Sequence, residues 1–499
     1  MRQSLKNAAT LGELCSRFSL ALVGRRGACD LVARRVVTHS PEVERGDIFL
    51  PLCGHRTSGE KYIGEAIGRG AVAVLLDRSK IGFSNFTCLI SDNARKSGAE
   101  IQNYFLGDPL SSLRFVGITG TKGKSSTLSI LDALLRFRGL SPLCVGTLGI
   151  RSDAFCVTTK NTTPDLFFLL PYLEKYVAQG GDTVLLEVSS QALADGRLVG
   201  LTIPLAVFTG FSPDHIGKAE HPTLRDYFLA KRSLFENYGV EESVAPLSSL
   251  ASFGMTRGVK HRFFTSSVYP SDLTLRPISF GLDGTHFFCE SVKGYLNAAG
   301  AYQLENAALA TLAASRLLGC PPTRLFPALA GVHLCGRFER YEIGGRLFII
   351  DYAHNGVSLR AVATHARSFT AGRLFLLFGA VGEKGECRRR ELVNVAEALG
   401  DHLILTEDDS GWEDRESILA ELFSYARFPD RVTVAADRAE AIRLSYELSC
   451  PGDTVLLLGK GHEQFLLRGG ERIPFSEREI LHSLGRKAAC KEGSCPQSN

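Results

Sequence analysis

The chain has 499 residues, with 44% hydrophobic and 22% charged positions and a formal net charge of +4. That length is too great for one hydrophobic core and predicts several domains, three at ordinary domain size, while the composition excludes a disordered or collagen-like chain. So small a charge, with no basic stripe or Lys/Arg block, argues against nucleic acid and leaves room only for a local basic pocket suited to a polyanionic small molecule.

The first apolar run, residues 18–23, is bracketed by Arg17 and Arg25 and is too short for a signal peptide or a membrane span. A cytoplasmic protein without membrane contact is expected. The thirteen cysteines show no paired metal-ligand spacing and read as reduced thiols, with Cys490 and Cys495 in a polar tail. From Leu11 to about Asp108, short strands such as Asp47-Ile-Phe-Leu and Ala71-Val-Ala-Val-Leu-Leu alternate with helical stretches, and Gly107-Asp108-Pro109 is turn chemistry that closes the unit. An apolar strand at 113–118 then runs into a glycine-rich loop and a helical pattern at 125–137, the order of a mononucleotide-binding fold. Buried strands follow at 183–187 and 205–209, apolar enough for a parallel sheet covered on both faces. A third unit opens near Gly336, where Phe348-Ile-Ile-Asp, Leu374-Phe-Leu-Leu-Phe-Gly, His402-Leu-Ile-Leu-Thr and Val455-Leu-Leu-Leu-Gly alternate with helices. Ligands collect at such carboxyl ends. The expectation is an α/β protein with domains at 1–108, 109–335 and 336–499: a small α/β domain, a central P-loop domain with a parallel sheet, and a Rossmann-like α/β domain.

Gly117-Ile-Thr-Gly-Thr-Lys-Gly-Lys-Ser-Ser-Thr carries the chemistry of a phosphate cradle, with glycine-exposed backbone, a helix N-terminus, Lys124 for β/γ phosphates and Ser125 for Mg²⁺. Strict G-x-x-x-x-G-K spacing wants glycine where Ile118 stands, so a tight helix-capping turn is the alternative. Glu187, ending one buried strand, and His215, ending another in Phe-Ser-Pro-Asp-His, would converge on metal ions carrying a triphosphate. Taken alone, Glu187 reads equally as a capping residue, and a lone His215 is more often a hydrogen-bonded core histidine.

Gly120 to Ser125 resembles the GTxGK[ST] signature of the Mur ligases, and seven motif strings along nearly the whole chain follow that family's order. The resemblance implies an ATP-dependent ligase that adds the third amino acid, a diamino acid, to UDP-N-acetylmuramoyl-L-alanyl-D-glutamate in peptidoglycan precursor synthesis through an acyl phosphate. It further implies ATP as co-substrate, two Mg²⁺ ions and a monomer. By the same resemblance Gly120, Thr121, Lys122, Gly123, Lys124, Ser125, Ser126, Asn306, Arg337 and Asp351 contact ATP. Ser40, Asn161, Thr162, Thr163, Ser189 and Arg197 hold the UDP-muramoyl peptide, its N-terminal domain being the uridine-nucleotide-binding one. Lys124, Glu187, His215 and Lys231 are the catalytic set, and Ser125, Glu187, His215 and Lys231 hold metal, Lys231 as a carbamylated N6-carboxylysine. Gly459 and Glu463 of Gly459-Lys-Gly-His-Glu463 contact the incoming amino acid, and Gly336-Arg337 is the hinge on which the domains close.

Family members that add meso-diaminopimelate usually read Asp-Asn-Pro-Arg where this chain has Asp408-Asp409-Ser410-Gly411, followed by Trp412. A second arginine is lost in Gly379-Ala-Val-Gly-Glu-Lys-Gly-Glu, with Lys384 or Arg388 as its candidate replacement. Losing these forks weakens capture of a carboxylate, so lysine or ornithine is expected over meso-diaminopimelate. Glu407, Asp408, Asp409, Glu413 and Asp414 would then face the distal ammonium, unless they form a solvated acidic loop. Thr209-Gly210 departs where asparagine usually follows the threonine. The competing readings are a folylpolyglutamate synthetase of the same architecture, a kinase or simple NTPase, and a catalytically inactive nucleotide-binding relative.

Overall fold

The structure is a computed structural model and describes residues 6–52, 58–80, 86–213, 217, 220–382 and 386–492. The first sheet has five strands in the order Ala21–Val23, Cys88–Ser91, Ala73–Asp77, Asp47–Phe49, Arg35–Val37, parallel except for its first pair. The helix Leu11–Phe18 starts on a capping box between Thr10 and Glu13, and the helix Ala94–Phe105 buries Ile101 and Phe105 in the core over the sheet.

The central sheet has nine strands, ordered Cys156–Val157, Gly149–Arg151, Leu143–Gly146, Thr183–Glu187, Arg114–Thr119, Leu205–Phe208, Glu242–Pro246, His261–Ser266, Leu273–Thr274. All neighbours are parallel from Leu143–Gly146 onward, whereas the first three strands pair antiparallel. Every residue of Thr183–Glu187 and Leu205–Phe208 is buried, as a sheet covered on both faces demands. One face carries the helices Lys124–Phe137 and Ala301–Leu318, the other Leu166–Ala178. Leu128, Ile130, Leu131, Leu134 and Leu135 anchor Lys124–Phe137; at about 1.5–3 kcal/mol per buried side chain, this fixes the helix start where Lys124 and Ser125 stand. An antiparallel sheet of Arg276–Phe280, Thr285–Cys289 and Val292–Leu296, which the sequence reading did not anticipate, follows.

The last sheet is ordered Glu339–Ile343, Arg346–Asp351, Thr454–Leu458, Leu374–Phe378, His402–Leu405, Val432–Val434, antiparallel only at its first pair. Helices cover both faces: Gly356–Arg367, Glu386–Leu399 and Arg415–Ser424 on one, Arg438–Leu448 and Glu477–Glu492 on the other. The expected α/β class, built on three largely parallel sheets, is what the structure has. The nine cysteines whose side chains are described are free thiols, and no described helix is long and apolar enough to cross a membrane.

Candidate active site

The strand Arg114–Thr119 lies between Thr183–Glu187 and Leu205–Phe208, so the loop at its carboxyl end is flanked by Glu187 on one side and Thr209 on the other. Gly123 adopts φ +87° at the start of the helix Lys124–Phe137, and a Cβ there would run into Asn306 Oδ1. Only glycine lets the loop and the helix Ala301–Leu318 approach so closely. Lys124 Nζ donates to the carbonyls of Gly120 at 2.9 Å and Thr121 at 3.2 Å. Lys231, 1% exposed, donates to the same Gly120 carbonyl at 2.9 Å, with its ammonium 4.6 Å from the Tyr227 ring centre. Two cations thus converge on one loop. Thr209 Oγ1 donates to the carbonyls of Thr119 and Lys122 and holds the loop from behind, while Ser126 turns inward and is buried.

Glu187, 2% exposed, accepts from Ser125 Oγ at 2.9 Å, Thr147 Oγ1 at 3.1 Å and Thr147 N at 3.1 Å. This all-oxygen set of Ser125, Thr147 and Glu187 fits a hard divalent cation. No group of three His, Cys, Asp or Glu gathers among the described residues. The expectation that His215 ends a buried strand is corrected: the strand stops at Phe208, Gly210 follows at φ +127°, and His215 lies outside the described residues.

The nucleotide-side candidates divide between two units. Asn306 donates through Nδ2 to Gln303 Oε1 at 3.0 Å and accepts from Thr127 Oγ1 at 3.3 Å. Asp351, at the end of Arg346–Asp351, spends both carboxylate oxygens on the amides of Phe338 (2.9 Å) and Ala353 (2.8 Å). Burial pushes its carboxyl up, and Arg337 partly opposes that. Arg337 stacks its guanidinium 4.6 Å from the Tyr352 ring centre. The units touch at the loop itself, where Lys122 Nζ lies 3.0 Å from His354 Nε2.

A cleft of about 820 Å³ brings together Ser40, Asn161 and Arg197 from distant parts of the chain. Thr163 connects it to the phosphate loop: its Oγ1 donates to the Glu187 carbonyl at 2.8 Å and accepts from Ser189 N at 2.9 Å, and its carbonyl accepts from Arg197 at 3.2 Å. Thr162 Oγ1 sits 3.3 Å from Thr147 Oγ1, and Ser189 caps the helix Ser190–Ala194. Sequence reasoning missed Arg95, Glu65 and Asp195 in this cleft: Arg95 is held by Asp165 at 2.5 Å, and Glu65 accepts from Ser40 Oγ at 2.7 Å. Each stands in an ordinary helix or turn and carries no local signal.

The acidic stretch is wired inward. Asp409 and Glu463 accept from Lys460 Nζ at 2.7 and 2.6 Å, Asp408 lies 3.8 Å from it, and Lys460 is 0% exposed. Burial pulls this ammonium down, but the carboxylates of Asp408, Glu463 and Asp409 together hold it above the ordinary lysine value. Gly459 leaves the room: a Cβ there would press on Asp408 Oδ2. Glu407 pairs with Arg468 at 2.7 Å, Glu413 with Arg389 at 2.7 Å, and Asp414 caps the helix Arg415–Ser424. Arg388 lies 3.9 Å from Glu220 of the central unit, and Lys384 is outside the described residues.

Comparison with known proteins gives two family matches, "Mur ligase middle domain" over residues 118–314 and "Mur ligase, glutamate ligase domain" over 336–461. The UDP-N-acetylmuramoyl-L-alanyl-D-glutamate--2,6-diaminopimelate ligase of Caldanaerobacter subterraneus subsp. tengcongensis is 32% identical over 444 residues, covering 88% of this chain and 91% of the relative. The ligase of the same name from Trichormus variabilis is 33% identical over 470 residues, covering 90% and 93%. A solved structure of a protein so named superposes with a TM-score of 0.68 at 25% identity, covering 96% of this chain and 99% of its own. Mycobacterium tuberculosis folylpolyglutamate synthase shares the fold at a TM-score of 0.61 and 18% identity, but covers only 73% of this chain. The expected preference for lysine or ornithine over meso-diaminopimelate is overturned, because these relatives are named for 2,6-diaminopimelate. The acidic stretch lends lysine no support either, because the carboxylates assigned to a distal ammonium already have Lys460, Arg468 and Arg389 as partners.

Proposed function

The chain belongs to the Mur ligase family and is therefore an ATP-dependent amide ligase, and on that premise we propose that it joins 2,6-diaminopimelate to UDP-N-acetylmuramoyl-L-alanyl-D-glutamate, a reaction of the cytoplasm. The observation that carries this reading is the continuity of the site: Thr163 and Glu187 link the cleft of Ser40, Asn161 and Arg197 to the phosphate loop of Lys124 and Ser125. A carboxylate held in the cleft then lies beside a triphosphate held on the loop. We assign residues 1–108 and the cleft to the UDP-sugar, 109–335 to ATP, and 336–499 to the amino acid.

A carboxylate oxygen is a poor leaving group, so the acid must be activated before an amine can displace it. The D-glutamate carboxylate attacks the γ-phosphorus, ADP leaves, and an acyl phosphate forms; the amine then attacks the acyl carbon, loses a proton and expels phosphate as the amide forms. Lys124 places positive charge where the transferred group's charge accumulates. Mg²⁺, when bound at Ser125 and Glu187, would neutralise further phosphate charge. His215 and a carbamylated Lys231 are proposed for a second ion. Arg337, Asp351 and Asn306 orient the nucleotide, and Gly459 and Glu463 receive the amino acid beside Asp408, Asp409 and Lys460. Closure about Gly336-Arg337 excludes water from the acyl phosphate.

The test is ADP release and product mass with the UDP-dipeptide plus meso-diaminopimelate, lysine or ornithine. Turnover requiring both substrates and fastest with meso-diaminopimelate is expected. ADP formed without either substrate would support a simple NTPase instead, and preference for lysine would refute the amino-acid assignment.

A further inference from the structure

A chain of contacts runs from the phosphate loop to the acidic cluster of the last sheet, polar at every step except across Tyr352, where it passes from the backbone carbonyl to the phenol through the residue itself. It starts at Lys122 Nζ, 3.0 Å from His354 Nε2. His354 Nδ1 lies 2.8 Å from the Tyr352 carbonyl, and a carbonyl only accepts, so Nδ1 carries the proton and Nε2 is left as an acceptor. The Lys122 ammonium is the donor that fits it. Tyr352 Oη donates to Glu463 Oε1 at 3.4 Å, and Glu463 Oε2 accepts at 2.6 Å from Lys460, which also holds Asp409 at 2.7 Å. The Tyr352 ring is clamped by Arg337 at 4.6 Å and by the His462 ring at 4.9 Å, so a displacement at His354 is not absorbed by a loose side chain.

Lys122 belongs to the central unit and all its downstream partners to the last one, so the contact is both a tether between units and a link between two substrates' sites. We propose that Lys122, His354 and Tyr352 are positioning residues that couple occupation of the phosphate loop to the amino-acid site. The proposal rests on the function above, which places ATP on the loop and the amino acid at Glu463. A polyphosphate competes with His354 Nε2 for the Lys122 ammonium, so nucleotide binding must move or recharge the first link of the chain. Coupling of this kind is reciprocal, each ligand changing the other's affinity by one factor.

The test is calorimetric titration of meso-diaminopimelate into the full-length protein saturated with UDP-N-acetylmuramoyl-L-alanyl-D-glutamate, with and without a non-hydrolysable ATP analogue. Wild type should show a coupling factor of about 5-fold or more. His354→Ala should bring it towards one, His354→Gln should keep most of it because its amide oxygen still accepts from Lys122, and the double variant with Lys122→Met should be no worse than His354→Ala. Tyr352→Phe, which deletes only a hydroxyl and leaves the ring packing, should also reduce the factor and serves if His354→Ala does not fold. A wild-type factor near one, or an undiminished factor in His354→Ala or Tyr352→Phe, would overturn the proposal. Failure of the underlying function is distinguishable, because wild type would then form no tripeptide product in the turnover assay.

Discussion

Lys460 shows how one residue decides whether an acidic stretch is a site or a scaffold. Three carboxylates would repel one another without the ammonium buried among them. Removing one partner of a buried ion pair typically costs about 3–5 kcal/mol, so Lys460→Met should lower the stability of the last unit by about that much in urea titration; a change below about 1 kcal/mol would mean that solvent already screens the cluster. Glu339 gives a pH signature. Burial opposes its ionisation, but Arg478, Tyr341 Oη and the Gly336 amide outweigh this and hold it down at about 2, from an ordinary 4.5. A carboxyl depressed in the folded state stabilises fully above its unfolded value and loses that contribution as pH falls towards the folded one. Stability of the last unit should therefore fall between about pH 4.5 and pH 2, and Glu339→Gln should flatten that limb in acid titrations followed by circular dichroism.

At the scale of elements, the junction of strand, loop and helix is the sensitive point. Gly123→Ala would put a non-glycine residue at φ +87°, which is unfavourable by about 1–2 kcal/mol, and would push against Asn306. ADP affinity should fall by about 10-fold or more while UDP-dipeptide affinity holds; calorimetry of both ligands checks this, and equal losses would indicate misfolding. This junction was legible in the sequence because its signals are local: apolar run, glycines, lysine, helix. Thr183–Glu187 and Thr454–Leu458 were legible for the same reason, each a fully buried run bounded by polar or glycine residues. Arg276–Phe280 was not, since Pro277 argues against a strand and all five residues are exposed. The cleft showed only its motif-bearing half, because Arg95 and Glu65 join it through tertiary folding alone. The acidic loop misled for the converse reason: residues 407–414 cluster in sequence, while most of the cations that neutralise them, Arg389, Lys460 and Arg468, come from other parts of the chain.

Across the whole molecule, the last unit is docked on the central one at more than one place. Arg340 binds Asp283 and the Leu282 carbonyl of the central unit, Ala299 and Tyr302 pack with Phe338 in a shared core, and Lys122 meets His354. Gly336, at φ +64°, lets the chain pass against Gly461 and His462, where a Cβ would collide with the His462 amide. A docked arrangement of this kind sets the phosphate loop against the last unit, and on the function proposed above it would bring loop, cleft and amine site together for a two-step ligation through a water-sensitive acyl phosphate. The decisive measurement is the rate at which Lys124→Ala forms the UDP-linked tripeptide from UDP-N-acetylmuramoyl-L-alanyl-D-glutamate, ATP and meso-diaminopimelate, followed by product mass. A fall of about 10²- to 10³-fold in the folded variant is predicted; an undiminished rate would contradict the assignment of the phosphate loop and the ligation built on it.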